Sequence, residues 1–271
     1  MPNPPDLVAI VNITEYSFSD GGRFLAPEAA IAHARALAAA GADWIELGPA
    51  SSNPDAGLVP ASVQIERLEP VVDALKDGPL PLSVDATDPA VLDWALDQSI
   101  AISMVNDIRG FPEAATRKRV ADSQTKVVVV HSLLEEPRAT RDRATPKEVL
   151  DSIDRFFDRR LEELVDAGVA RNRLIVDPGM GFFLSSDPLA SVEVLKRVPE
   201  LRARFGCPVF ISVSRKSFLR NLTGKEVDEA GAATLTAELY SARAGAGYLR
   251  THDVGAIRDG LTIEAALRSE R

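Results

Sequence analysis

The chain of 271 residues is 45% hydrophobic and 26% charged, with 17 Gly and 18 Pro: a globule able to bury a substantial core, not a disordered tract. Its 31 Lys and Arg face 40 Asp and Glu, and the formal charge of −9 has the wrong sign for a protein that binds nucleic-acid phosphates or an anionic membrane surface. The single cysteine, Cys207, cannot form an internal disulfide, so a cytoplasmic home is expected; with only 3 histidines and no HExxH or CxxC, a zinc site is not.

The Pro-rich start, residues 1–6, lacks the basic and apolar regions of a signal peptide and reads as a flexible extension. No apolar run approaches the length of a membrane span. From there short apolar runs alternate with longer segments of helical period. A strand over Leu7 to Val11 precedes a helix over Pro27 to Ala40, and Trp44 to Leu47 precedes Ala61 to Leu75. Leu82 to Val84 leads to Pro89 to Gln98, and Ile102 to Val105 to Pro112 to Ala121. After the run Val127 to Val130, Thr145, Pro146 and Glu148 form an N-cap, a first-turn proline and a capping-box acid. Val149, Ile153, Phe157, Leu161 and Leu164 give that helix its apolar stripe, and Gly168 stops it. Leu174 to Val176 leads to Asp187 to Phe205, Val209 to Val213 to Val227 to Arg243, and Tyr248 to Leu249 to Val254 to Leu267.

Eight strand–helix units with no linker dividing them predict one α/β domain over residues 1–271. A (β/α)8 TIM barrel is the leading architecture, and an open doubly wound sheet is the alternative. The polar residues favour the barrel. Each apolar run ends in chemistry-bearing groups: Asn12; Gly48 with Ser51 and Ser52; Asp85; Asn106 with Asp107; His131; Asp177; Ser214 with Lys216; Arg250 with His252. In a barrel these ends converge on one mouth, where active sites of this fold lie.

The groups divide into two chemical sets. Asp85, Asn106 and Asp177 suit a flat heterocycle presenting several N–H donors, whereas Asn12, Ser51, Ser52, Lys216, Arg250 and His252 suit an anion such as a phosphate. Taken singly, each has a plainer reading: Asp85 as an N-cap, His131 as a residue that only bonds its neighbours. His33 reads as a surface residue, Gly224-Lys225-Glu226 as a turn, and Arg138 to Arg143 as a solvated loop.

Six collinear strings then resemble one family. Asn12 through Gly22, Ser83-Val84-Asp85, Asn106-Asp107-Ile108, Asp177 through Phe182, Ser214-Arg215-Lys216-Ser217 and Arg250-Thr251-His252-Asp253 are similar, in order and spacing, to the signatures of dihydropteroate synthases. Gly48 through Ala56, Asp177 through Leu184 and Val213 through Leu219 resemble the sulfonamide-resistance branch of that family. The resemblance implies a transferase that condenses para-aminobenzoate with dihydropterin hydroxymethyl diphosphate in folate biosynthesis, with Mg²⁺ as cofactor and a homodimer as assembly. It implies that Asp85, Asn106, Asp177 and Lys216 hold the pterin, and that Asn12 carries the Mg²⁺. Ser51, Ser52, Arg250 and His252 would hold the diphosphate; Ser52, Asn53, Pro54, Phe182, Lys216 and Ser217 the aminobenzoate; and Asp20, on the first loop, would join Asp85, Asp177 and Lys216 in catalysis.

Three departures from the family pattern stand out. Ala50 to Asp55 replaces a Glu-Ser-Thr-Arg-Pro-Gly string and removes a guanidinium beside the aminobenzoate; Phe183 replaces a glycine and would crowd a sulfonamide; Glu15-Tyr16 stands where Pro-Asp is common. The first two predict low sulfonamide sensitivity. Two rivals are a methyltetrahydrofolate-binding barrel of corrinoid methyltransferases, which lacks the Ser-Arg-Lys-Ser string, and a pterin-binding protein without turnover.

Overall fold

The computed structural model describes residues 3–14, 25–51, 57–97, 101–133 and 144–268. Strand β1 (Asp6–Asn12) leads to helix α1 (Pro27–Ala39), β2 (Trp44–Gly48) to α2 (Ala61–Leu75), and β3 (Leu82–Asp85) to α3 (Pro89–Asp97). Next come β4 (Ile102–Asp107) with α4 (Ala114–Ala121), and β5 (Lys126–Val130) with α5 (Pro146–Asp166). Two helices follow each of the next two strands: α6 (Pro188–Lys196) and α7 (Val198–Phe205) after β6 (Leu174–Asp177), then α8 (Ser217–Thr223) and α9 (Gly231–Arg243) after β7 (Phe210–Ile211). Strand β8 (Tyr248–Thr251) and α10 (Val254–Arg268) complete the order.

All strand pairs are parallel, in the order β6-β5-β4-β3-β2-β1-β8-β7. The two ends meet: Val176 bridges Val209, and its N–H donates to the Pro208 carbonyl at 3.0 Å. The sheet is thus a single-domain (β/α)8 barrel, and β1, lying between β2 and β8, excludes the open doubly wound sheet.

Closure gives each strand an outer face against helices and an inner face against the other strands. Leu7, Ala9 and Val11 of β1 point outward into the helix-covered core. Inside, Val8, Trp44, Met104, Val128, Val130, Ile175, Phe210 and Tyr248 fill the lower barrel. Tyr248 meets Trp44 edge-on at 6.4 Å between ring centroids and stacks on Phe210 at 5.9 Å, so aromatic rings plug the floor. Above them the inner face turns polar, because the same period of two brings Glu46, Ser83, Asn106 and Arg250 inward.

Helix α5 forms for the reasons its sequence supplies. The Glu148 N–H donates to Thr145 Oγ1 at 3.3 Å, Glu148 Oε2 accepts the Thr145 N–H at 2.8 Å, and the whole apolar stripe from Val149 to Leu164 is buried. Gly168, at φ 104°, ends it.

Several elements differ from the sequence expectation. The helix expected over Asp187 to Phe205 is two, because Pro199 lacks the N–H that would bond to Leu195, and Arg197 at the elbow pairs with Asp154 at 3.2 Å. The helix expected from Val227 starts as a 3-10 turn over Val227–Glu229, closed by a Glu226–Glu229 capping box, and α9 begins only at Gly231. Helix α8 had no expectation; it stops at Gly224 in the left-handed conformation (φ 67°), the turn read for Gly224-Lys225-Glu226. Strand β7 pairs with β8 over two residues only, while β8 reaches Arg250 and Thr251, beyond its apolar run. At the start, Pro5 is buried and Asp6 already belongs to β1, its carboxylate accepting from Trp44 Nε1 at 3.2 Å. Gln98 and Arg138 to Arg143 lie outside the described residues. Among the described residues, no helix is long and apolar enough to cross a membrane.

The α5 cap can be tested directly. Thr145→Ala is expected to cost about 1 kcal/mol of stability, read as a fall of about 2–4 °C in a thermal melt.

Candidate active site

The C-terminal strand ends surround a cleft lined by Asn12, Ser51, Asp85, Phe182, Phe183, Ser214, Lys216, Ser217, Arg250 and His252, among others. Asn106 and Asp177, each 4% exposed, are buried next to the lining residues: Asn106 pairs in register with Asp85, and Asp177 interacts with Lys216 and Arg250. Asp20, Ser52, Asn53 and Pro54 lie outside the described residues, as do Glu15 and Tyr16.

The centre is a charge network. Arg250 Nε donates to Glu46 Oε1, and its Nη2 donates to Asp85 Oδ2 at 2.8 Å. Glu46, fully buried on β2, also accepts from Ser83 Oγ and Asn106 Nδ2, both at 3.2 Å on Oε2. Asn106 therefore turns its amide nitrogen toward Glu46, and its Oδ1 is buried with no hydrogen-bond partner among the described residues. A buried acceptor of that kind is normally satisfied, so it awaits a donor. Asp85 is not the cap of the next helix, since Asp88 Oδ1 accepts the Ala90 N–H at 2.9 Å in that role.

Burial pushes the Asp85 carboxyl up to about 6, against the pull of Arg250; Glu46 reinforces the rise and Lys216 opposes it. Asp177 likewise rises to about 6 through burial, opposed by the Gly179 N–H, which donates to its Oδ1 at 2.8 Å. Burial and then Arg250 lower the Lys216 ammonium to about 8, with Asp177 and Asp85 working the other way. Arg250, held by its carboxylates, is raised still further and stays charged.

Loops aim these groups. Gly179 turns left-handed at φ 76°, and a Cβ there would stand 2.5 Å from the His131 carbonyl, so only glycine lets the loop fold back onto Asp177. His131 braces that loop from below: Nδ1 donates to the Pro178 carbonyl at 3.2 Å, and Nε2 accepts from Ser152 Oγ at 3.0 Å. Buried to 1% exposure and with its pKa pushed down to about 4, it is a neutral support. Arg215 is left-handed at φ 58°, a strain of roughly 1–3 kcal/mol for a residue with a side chain. Its N–H donates to Thr234 Oγ1 at 3.1 Å, and the turn presents Lys216, whose Nζ sits 4.5 Å from the Phe183 ring centroid. Phe183 is 6% exposed, while Phe182 is half-buried on the cleft wall.

His252 stands at the rim. Its N–H donates to Ser214 Oγ at 3.2 Å, and the same hydroxyl is hydrogen-bonded to Nδ1 at 2.9 Å. Burial and nearby Arg215, Arg250 and Lys216 depress its pKa well below the usual value, so the ring is neutral. His33 is a half-buried residue of α1. Asp107 points away from the cleft: its carboxylate accepts the Arg109 and Phe111 N–H groups at 2.9 and 2.8 Å and braces the turn after β4.

For a divalent cation, no three His, Cys, Asp or Glu side chains cluster among the described residues. A hydrated Mg²⁺ that also takes phosphate oxygens needs only one or two protein oxygens. Asn12 fits that need: it lines the cleft, and Gly48 opposite leaves its Oδ1 clear, since even a Cβ there would stand 3.4 Å away.

The strand-end expectation thus brings together Asn12, Ser51, Asp85, Asn106, Asp177, Ser214, Lys216, Arg250 and His252, and the resemblance adds Phe182 and Ser217; Asp107 and His131, also expected at the mouth, brace loops instead of lining it. It missed Glu46. The available signal was a carboxylate in the middle of the apolar run Trp44-Ile45-Glu46-Leu47.

Comparison with known proteins identifies the family. Residues 8–252 match the family model described as pterin binding enzyme. The chain is 53% identical to the type-2 dihydropteroate synthase of Escherichia coli, over 97% of this chain and 96% of that one. A dihydropteroate synthase of Coxiella burnetii in complex with pteroic acid superposes with a TM-score of 0.87, covering 99% of this chain and 95% of that one at 27% identity. The enzyme of Xanthomonas albilineans with 4-aminobenzoic acid gives a TM-score of 0.86 at 35% identity, over 99% and 95%. With the barrel, the polar cleft and these relatives in agreement, the chain belongs to the dihydropteroate synthases, transferases of the pterin-binding enzyme family.

Proposed function

We propose that the cleft condenses para-aminobenzoate with 6-hydroxymethyl-7,8-dihydropterin diphosphate, giving 7,8-dihydropteroate and pyrophosphate. The observation that carries this reading is the convergence of Asp85, Asp177 and the unsatisfied Asn106 Oδ1 at the cleft base. A reduced pterin offers N–H donors along its edge, and these three groups are acceptors. Lys216 and Arg250 supply the positive charge that faces them. The pterin CH₂–O bond breaks with its electron pair leaving on pyrophosphate, and Asp85 and Asp177 stabilise the cation left on the pterin. The aromatic amine, held near Phe182, Lys216 and Ser217, then attacks the methylene carbon and loses a proton to solvent. Positioning supplies much of the rate. Mg²⁺, held by Asn12, would neutralise charge developing on the leaving diphosphate, with Arg250, His252 and Ser51 completing its cradle. Asp20, Ser52, Asn53 and Pro54 keep the roles that the resemblance implies.

The test is turnover by the purified protein with both substrates and Mg²⁺. Aminobenzoate-dependent pyrophosphate release is expected; pterin binding without release would leave a binding protein. The pH profile follows from the site. The carboxylates must be ionised to accept N–H bonds, so activity is expected to fall below about pH 6, where Asp85 and Asp177 take protons. Lys216 must be charged, so activity is expected to fall above about pH 8, and kcat/KM should peak near pH 7.

Low sulfonamide sensitivity forms part of the proposal. Its support is Phe183, a ring packed against Lys216 on the cleft wall where the resemblance places a glycine. A sulfamethoxazole inhibition constant far above the aminobenzoate KM is expected, and comparable values would overturn it. We also place the protein in the cytoplasm, in line with its one buried thiol. A homodimer is proposed on the exposed Tyr240, Ile263 and Leu267 of α9 and α10. Light scattering should return twice the chain mass; a monomer mass refutes it.

A further inference from the structure

We propose that Glu46 is a positioning residue that sets pterin selectivity, by locking the Asn106 amide with Oδ1 toward the ligand and holding Arg250 beside Asp85. The proposal rests on the pterin reading above.

A carboxylate can only accept hydrogen bonds, and Glu46 offers both oxygens to three donors on three other strands: Ser83 on β3, Asn106 on β4 and Arg250 on β8. A carboxamide alone has no preference between its two ends. Next to Glu46 only one orientation works, with Nδ2 inward and Oδ1 left as the orphaned acceptor. The cleft base then presents acceptors from Asp85, Asn106 and Asp177, and so reads a ring edge made of donors. A flipped amide would present a donor there and would accept ring nitrogens instead. Glu46 therefore acts on the ligand without touching it.

The same carboxylate fixes a charge. Arg250 is bound on one side by Glu46 and on another by Asp85, which holds the guanidinium at the cleft wall. The charged groups that interact with Glu46 are Asp85 on β3, Asp177 on β6 and Arg250 on β8, and Lys216 after β7 faces both aspartates. The negative charge of Glu46 raises both aspartates, so its removal lowers them.

The experiment compares wild type, Glu46→Gln and the double variant Glu46→Gln with Asn106→Asp, by calorimetric binding of the pterin diphosphate and by pH–rate profiles. In the single variant the pterin KM is expected to rise about tenfold or more, the size of a lost charge-assisted hydrogen bond. Its acid limb is expected to move to lower pH, a change that merely structural damage would not produce. In the double variant the introduced glutamine can donate to the introduced aspartate, whose other oxygen remains an acceptor, so most of the lost affinity should return. A change in KM within twofold for Glu46→Gln overturns the proposal, as does a loss that the second substitution does not repair. Wild-type protein that binds no pterin overturns the functional reading as well, which separates the two failures.

Should Glu46→Gln not fold, Asn106→Asp alone tests the same contact. It sets two carboxylates face to face, so pterin affinity relative to wild type at the same pH should be poor at pH 8 and recover toward pH 6.5, where a shared proton restores a donor between them while Asp85 and Asp177 stay largely ionised. Affinity that does not recover at the lower pH overturns the proposal.

Discussion

A guanidinium shared by two carboxylates sits where the barrel changes from an apolar plug to a reactive mouth. Taking such charges out of water costs several kcal/mol per ion, and an apolar replacement of similar volume is often no less stable. Removing only one partner is different: it leaves a buried charge uncompensated, at a cost of about 3–5 kcal/mol. The Glu46–Arg250–Asp85 network is therefore weak as a source of stability and strong as a constraint on geometry. Through Glu46 it reaches Ser83, Asn106 and Asp177, and through Asp85 it faces Lys216. Strands β2, β3, β4 and β8 are thus joined at their inner faces by side chains as well as by ladders.

The mouth is arranged so that few of its charges move. The left-handed turns at Gly179 and Arg215, the second costly for a residue with a side chain, are each tied down by a neighbour: His131 on the Pro178 carbonyl, Thr234 behind Arg215. Fixed dipoles and charges of this kind need little rearrangement as bonds break, which is where preorganised sites gain their rate. The carboxyls near pH 6 and the ammonium near pH 8 leave a window around neutrality in which all three are charged.

The barrel was legible in the sequence because its outer faces obey simple rules. Helix α5 needed only its cap, its stripe and Gly168, and each apolar run marked a strand. The strand ends likewise named most of the cleft, since closure must bring them together. Glu46 escaped because the run around it was read for apolar content alone. On an inward face, each second residue meets the barrel interior, and an acid there is as informative as one at the end. Arg250 was named, but its carboxylate partners lie about 165 and 204 residues away in sequence, so only folding reveals them. The break at Pro199 was visible in principle; the pairing of Arg197 with Asp154 that fixes the elbow was not.

The joint between β6 and β7 has a consequence for motion. The other neighbouring strands pair over at least two residues, but this pair is stitched by one bridge and the bond from Val176 to the Pro208 carbonyl. It is the seam where the fewest backbone hydrogen bonds must part for the wall to spread. On either side of that seam hang the two loops that carry Asp177 with Phe182 and Phe183, and Arg215 with Lys216. Opening of the wall is least costly there, beside Lys216, and the Glu46 network does not cross that seam. A rigid reader and a yielding wall are built into the same ring.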